Sequence, residues 1–183
     1  MNANQIIINQ TKAWVINVVV GCNFCPFAAK EVKKNSLHYV VENSEKIQDC
    51  LSALLKEYQR LDNNLSIETT LVIFPHFFKD FDDYLSFLHR AEKALQLKKY
   101  EGIYQLAGFH PLYQFADSTL EDPANYTNRS PYPMIHILRE ESVERAIASF
   151  PHIEKIPERN IHFTRSKGLA YMKQLMDTIL KSN

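Results

Sequence analysis

Cys22-Asn23-Phe24-Cys25, followed at once by Pro26, is the first stretch of the chain with the residue types for covalent chemistry. A CxxC in a reducing compartment suggests a redox pair or a metal site. A thioredoxin-like pair has a strand immediately before it and its first cysteine at a helix N-terminus, whereas the run before Cys22 reads as a helix, which disfavours the dithiol. Proline is favoured at the first helical position, so Cys25 is expected as the N-cap of a helix through PFAAKEVKK. Backbone N–H groups and the helix dipole would then favour the nucleophilic thiolate. The competing reading is a small buried residue packed with Phe24 and Phe27, since free cysteines are often interior.

A second concentration of chemistry lies between Gln105 and Glu140, in QLAGFHPLYQFADSTLEDPANYTNRSPYPMIHILRE. Residues 112–133 match neither helix nor strand, and loops of more than about 12–15 residues without secondary structure are commonly functional or disordered. Pro111, Pro123, Pro131 and Pro133 limit this loop's freedom, which argues for order. His110 stands at a strand exit and His136 within the next strand. Period-two alternation puts Met134, His136 and Leu138 on one face and Ile135, Ile137 and Arg139 on the other. With Cys25 as nucleophile, His110 and His136 are the candidate bases. Arg129, Arg139, Asn125, Asn128 and Tyr113 are candidate substrate-binding residues, because a guanidinium fork suits a carboxylate or phosphate. Arg129 could equally pin the loop by pairing with Glu68, Asp117 or Asp122.

Cys25, His110 and His136 would also suffice for zinc with a water as fourth ligand. No HxH, HExxH or paired CxxC supports that set locally, and no GxGxxG or P-loop indicates a nucleotide cofactor, so the cofactor is unknown.

Composition bounds these readings. The 183 residues suit one domain, and 45% hydrophobic with 23% charged residues is ordinary for a globular chain. Twenty-one basic and 21 acidic residues give zero net charge, so no global field recruits nucleic acid or a membrane surface. The N-terminal MNANQIIINQTKAWV has no basic n-region and no long apolar core, and three cysteines do not make a secreted disulfide framework. A cytoplasmic location with reduced thiols is the default expectation, and an anionic small molecule the expected partner.

The elements that must position these residues alternate. A helix over 11–20 precedes a strand at 37–42, and a helix begins at Ser44 with Ile47, Leu51, Leu54, Leu55, Tyr58 and Leu61 at helical spacing, placing Cys50 beside its buried stripe. A strand at 67–75 follows, then a helix from Asp80 as N-cap, a strand at 103–109 and another at 133–140. Helices over 143–150 and 164–180 finish the chain. The expected architecture is α/β or α+β, two layered, with about four strands in a mostly parallel or mixed sheet and helices packed on it.

GCNFCPFA at 21–28, ETTLVIFP at 68–75, QLAGFHPLYQFA at 105–116, NYTNRSPYPMIHILRE at 125–140 and IPERNI at 156–161 together resemble a bacterial family, domain of unknown function 1415. Where that family's pattern reads GLNLCPFA, this chain has Cys22, so a mechanism needing both thiols would be peculiar to this member. The resemblance implies no activity. Two functions therefore stay open: a small-molecule enzyme with a Cys/His/Arg site, and a non-catalytic binding or interaction protein that presents the aromatic loop with Tyr113, Phe115, Tyr126 and Tyr132.

Overall fold

A computed structural model describes residues 2–150 and 152–181. Helix α1, Ala3–Trp14, starts at Asn2, whose side chain accepts the Gln5 N–H at 2.8 Å, and runs without a break into a π-helical turn, Val15–Val20. The helix expected over 11–20 is present but begins eight residues earlier. At its end the Gly21 N–H reaches the carbonyl of Ile16 at 2.9 Å. A Cβ on Gly21 would stand 2.3 Å from the Asn17 carbonyl oxygen, so this approach requires glycine.

Helix α2, Ala28–Lys34, has Phe27 at its N-cap, so Cys25 is not the cap expected from Pro26. The Cys25 N–H still points back to the Val19 carbonyl at 3.5 Å, and the Cys25 carbonyl accepts the Ala28 N–H at 3.3 Å. Cys25 thus belongs to the turn that unwinds the first helix, and the new helix cannot begin until that turn closes.

Strand β1 is Leu37–Val41, and α3 is Ile47–Asn63, followed by β2, Thr69–Ile73, and α4, Phe81–Leu97. The Asp80 carboxylate caps α4 as expected, accepting from the N–H groups of Asp82 and Asp83. Ser44 instead lies just ahead of α3, where Lys46 is the N-cap; its hydroxyl accepts the Lys46 N–H and donates to Asp49. Strand β3, Tyr104–Phe109, and β4, Met134–Arg139, flank the long loop, within which Pro123–Thr127 forms a 3-10 turn. Helix α5, Glu140–Ser149, follows β4 directly. The expected last helix is split into α6, Ile156–Lys167, and α7, Leu169–Leu180, because Gly168 adopts φ +81° and ψ 163°.

The fold is α+β: seven helices among the described residues and one open, mixed sheet in the order β1-β2-β4-β3. β1 and β2 are parallel, as their helical crossover requires, and β4 is antiparallel to both β2 and β3. Helices cover both faces, which adds a layer to the two expected. On one face Val72, Ile135 and Ile137 pack with Leu54, Tyr58, Phe87 and Ala91 of α3 and α4. On the other, Leu71, Ile73 and Met134 pack with Ile7, Trp14 and Val18 of the first helix and Met172 and Met176 of α7. No helix among the described residues is long and apolar enough to cross a membrane.

Replacing Gly21 by Ala forces the added methyl onto the Asn17 carbonyl and should cost about 1–3 kcal/mol, the usual range for overpacking. The urea unfolding midpoint reads this directly; an unchanged midpoint would mean that the turn relaxes around the methyl.

Candidate functional site

Beneath α5 the second sheet face is not covered by the first helix, and a cavity of about 680 Å³ opens there. Its floor is the outward alternation of all four strands: Leu37 from β1, Thr69 and Leu71 from β2, His136 and Leu138 from β4, and Gln105, Ala107 and Phe109 from β3. Trp14, Val15 and Val19 form one wall, at the point where the first helix widens into its π turn, a distortion often found at functional sites. Cys25, Pro26, Phe27 and Ala28 form the next wall, and Val143, Ala146 and Ser149 of α5 close the top. Lys30, Glu31, Lys34, Glu68 and Arg145 stand around it.

The Cys25 wall is held from behind by α6. Asn160, 8% exposed, donates its amide to the Phe24 carbonyl at 2.8 Å, and the Arg159 guanidinium donates to the Asn23 carbonyl. Phe24 meets Phe163 edge to face with centroids 5.9 Å apart, and Phe27 meets Phe150 at 5.8 Å. These contacts fix Cys25 half-buried on the cavity side. Cys22, three residues earlier, is buried, and desolvation raises its thiol pKa while the charge of Lys167 acts in the opposite direction. Cys50 is fully buried, as expected for the core; burial first, then Glu42 and Asp49, push its thiol up to about 12.

His136 lies on the floor, its Nε2 2.6 Å from the Thr69 hydroxyl oxygen. That hydroxyl also contacts the carbonyl of Ile137, which can only accept. The Thr69 proton must therefore point at Ile137, and His136 Nε2 must be the N–H that donates to Thr69. Burial lowers the His136 pKa to about 4, so the ring is neutral near pH 7.

The other expected site residues lie elsewhere. His110 is fully buried against Phe81 and Tyr84, its Nε2–H on the Phe78 carbonyl at 2.8 Å and its Nδ1 accepting the Leu112 N–H at 3.0 Å. Both ring nitrogens are thus occupied, and the ring does not line the cavity. Arg129 pins the loop, but through carbonyls rather than the expected carboxylates: Nε donates to Tyr113 at 3.0 Å and an Nη to Leu120 at 2.8 Å, with the guanidinium over the Tyr126 ring. Asp122 instead pairs with Arg165 at 2.7 Å, which lowers its carboxyl pKa. Asn125, completely buried, accepts from the Phe115 N–H and the Ser118 hydroxyl and donates to the Thr119 carbonyl. Asn128 accepts the Thr127 hydroxyl and, at its carbonyl, the His110 N–H. The Tyr113 ring packs on Phe81 and Phe115. Arg139 touches the cavity, yet its guanidinium donates to the carbonyls of Leu61 at 2.7 Å and Ile67 at 3.1 Å.

Of the expected set, the cavity therefore brings together Cys25 and His136 with the edge of Arg139. No residue of 112–133 lines it. Among the described residues no three His, Cys, Asp or Glu side chains converge as a metal site, so Cys25, His110 and His136 do not form the zinc set that their chemistry would allow. Thr69 and Gln105 were not singled out from sequence. Strand alternation in IETTLVIFP and IYQLAGF carries the only signal for them, and it does not say which face holds a cavity.

The chain belongs to the family described as protein of unknown function (DUF1415), whose model matches residues 6–174. No match was found among curated proteins or among solved structures.

Arg129→Ala removes two charge-assisted hydrogen bonds from the loop and should lower stability by about 1.5–3 kcal/mol per bond or less where the carbonyls rehydrate. Ligand affinity in the cavity should not change; a stable variant with lost affinity would return the loop to the site. A second prediction concerns acid. The unfolded His136 has an ordinary pKa near 6.5 and the folded one about 4, so the unfolded chain binds more protons between those values. The neutral His136 therefore contributes its full stabilisation above about pH 6.5 and loses it as pH falls towards 4. Denaturant midpoints across this window should decline less steeply in His136→Gln than in the parent chain.

Proposed function

We propose that the protein is a small-molecule enzyme whose site is this cavity, with Cys25 as its nucleophile and His136 as a neutral hydrogen-bonding partner on the floor. The observation that carries the reading is that Cys25 and His136, remote in sequence, both line one half-open cavity whose surface is largely apolar. Such a cavity with a few placed polar groups is the usual form of a ligand site. The volume suits a ligand with an apolar body. Lys30 is exposed beside the mouth and has no ion pair among the described residues, so it suits an anionic group on that ligand. Glu31 is already engaged by Ser36 at 2.7 Å and by Lys34 at 3.4 Å, which limits its repulsion.

A second reading, non-catalytic binding in the same cavity, is favoured by one observation. A base working near pH 7 is best matched to that pH, and an imidazole lowered to about 4 is poorly suited to hold a proton taken from a thiol. The aromatic loop has no such support as a recognition surface, because its Asn125 and Arg129 groups are turned inward to its own carbonyls and amides.

Alkylation with paired reagents tests the site. Iodoacetamide and its N-phenyl analogue both form a thioether at sulfur, releasing iodide and giving the thiol proton to buffer. In the folded protein Cys25 should react before Cys22 or Cys50, as peptide mass spectrometry would show. The N-phenyl reagent should gain about tenfold or more over its advantage with glutathione, the value of burying an aromatic ring. Equal preference at Cys25 and glutathione, or labelling only on unfolding, would remove the cavity as a ligand site.

A further inference from the structure

Resting on the cavity reading, we infer that the floor of this site recognises a neutral hydrogen-bond donor, an amide N–H or a hydroxyl, through the lone pair of His136 Nδ1. The Ile137 carbonyl takes the Thr69 proton, Thr69 takes the His136 Nε2 proton, and Nδ1 is left as an acceptor. This three-member relay fixes the tautomer from the backbone outward. Nδ1 has no protein partner among the described residues, and it is not among the sealed, unpartnered polar atoms of the interior. It is therefore open to the cavity that His136 lines.

The neighbouring strand supplies a second polar group on the same face. Ala107 pairs with His136 and Gln105 with Leu138, so Gln105 sits diagonally beside the imidazole, near enough for one small ligand group to reach both side chains. The Gln105 amide likewise has no hydrogen-bond partner among the described residues and lines the cavity. An acceptor-only nitrogen beside an amide that both donates and accepts is complementary to a carboxamide, a lactam edge or a protonated carboxyl. It does not suit an ionised carboxylate, which cannot donate to Nδ1 and would lie against the apolar side chains of Leu71, Ala107 and Leu138. A ligand of this site accordingly enters with its neutral polar end first and leaves any anionic group at the mouth near Lys30.

Two measurements test the inference separately from the cavity itself. Imidazole nitrogen NMR of the protein without ligand should show His136 as the neutral Nε2–H tautomer from about pH 5 to 8; the Nδ1–H tautomer, or titration near the ordinary histidine value of about 6.5, would overturn the relay. Titration of benzamide, N,N-dimethylbenzamide and benzoate, followed by amide shifts of cavity residues, then tests recognition. Benzamide should bind at least about tenfold more tightly than either of the others, the worth of leaving a buried acceptor unpaired. His136→Leu, which removes the acceptor and leaves the Thr69 hydroxyl donating to the Ile137 carbonyl, should erase that preference, with circular dichroism confirming that the fold is retained. Equal binding by all three would overturn the donor rule and leave the cavity intact as a ligand site. Absence of shifts at the cavity with every probe would overturn the cavity reading and this inference together.

Discussion

Strand β4 is threaded between β2 and β3, antiparallel to each, and both of its faces are covered. A central strand so enclosed leaves little water for its side chains, and any polar group on it needs a protein partner or a cavity. His136 has one of each: Thr69 across the β2 pairing on its Nε2, and open space at its Nδ1. Arg139, on the opposite face and at the strand's end, is drawn instead to the carbonyls behind α3. The position of β4 thus decides which polar residue reaches the cavity and which braces the fold.

The long loop between β3 and β4 does a different task. Adjacent antiparallel strands can be joined by two residues, so its length is not required by topology. It fills the space between the sheet end, the first helix and α6 and α7. Tyr126 enters the core beside Met134 and Met172, the Trp14 indole donates to the Arg129 carbonyl at 3.0 Å, and Arg165 of α6 holds Asp122. Its His, Asn and Arg groups turn inward because the buried stretches of its backbone must be satisfied. Helix α6 also reaches the other side, where Arg159 and Asn160 hold the turn that carries Cys25. One helix therefore stabilises both the loop and the cavity wall.

Local rules made much of this legible in the sequence. The apolar period of α3 put Cys50 in the core, Asp80 marked the start of α4, and alternation in β4 separated His136 from Arg139. Cys25 and His136 stood out by residue type. The strand order was not readable, since nothing local states that β4 inserts between β2 and β3. Pro26 points to Cys25 as a helix cap, but the π turn extends the preceding helix by a backbone effect that Pro26 does not report, and the cap falls at Phe27. His110, Arg129 and Asn125 looked functional by chemistry and place, but a side chain that satisfies a carbonyl and one that awaits a ligand have the same letters. The layer count depended on the first helix packing on the second face of the sheet, and its apolar residues do not state on which side of the sheet it lies.

The most direct measurement is a fragment screen followed by backbone amide NMR with the resonances assigned, mapping where small molecules perturb the protein. Shifts gathered at Val19, Cys25, Leu71, Ala107, His136 and Val143 are the result predicted by a cavity site. Shifts gathered at residues 112–133, with the cavity lining silent, would contradict it and make the aromatic loop the recognition surface.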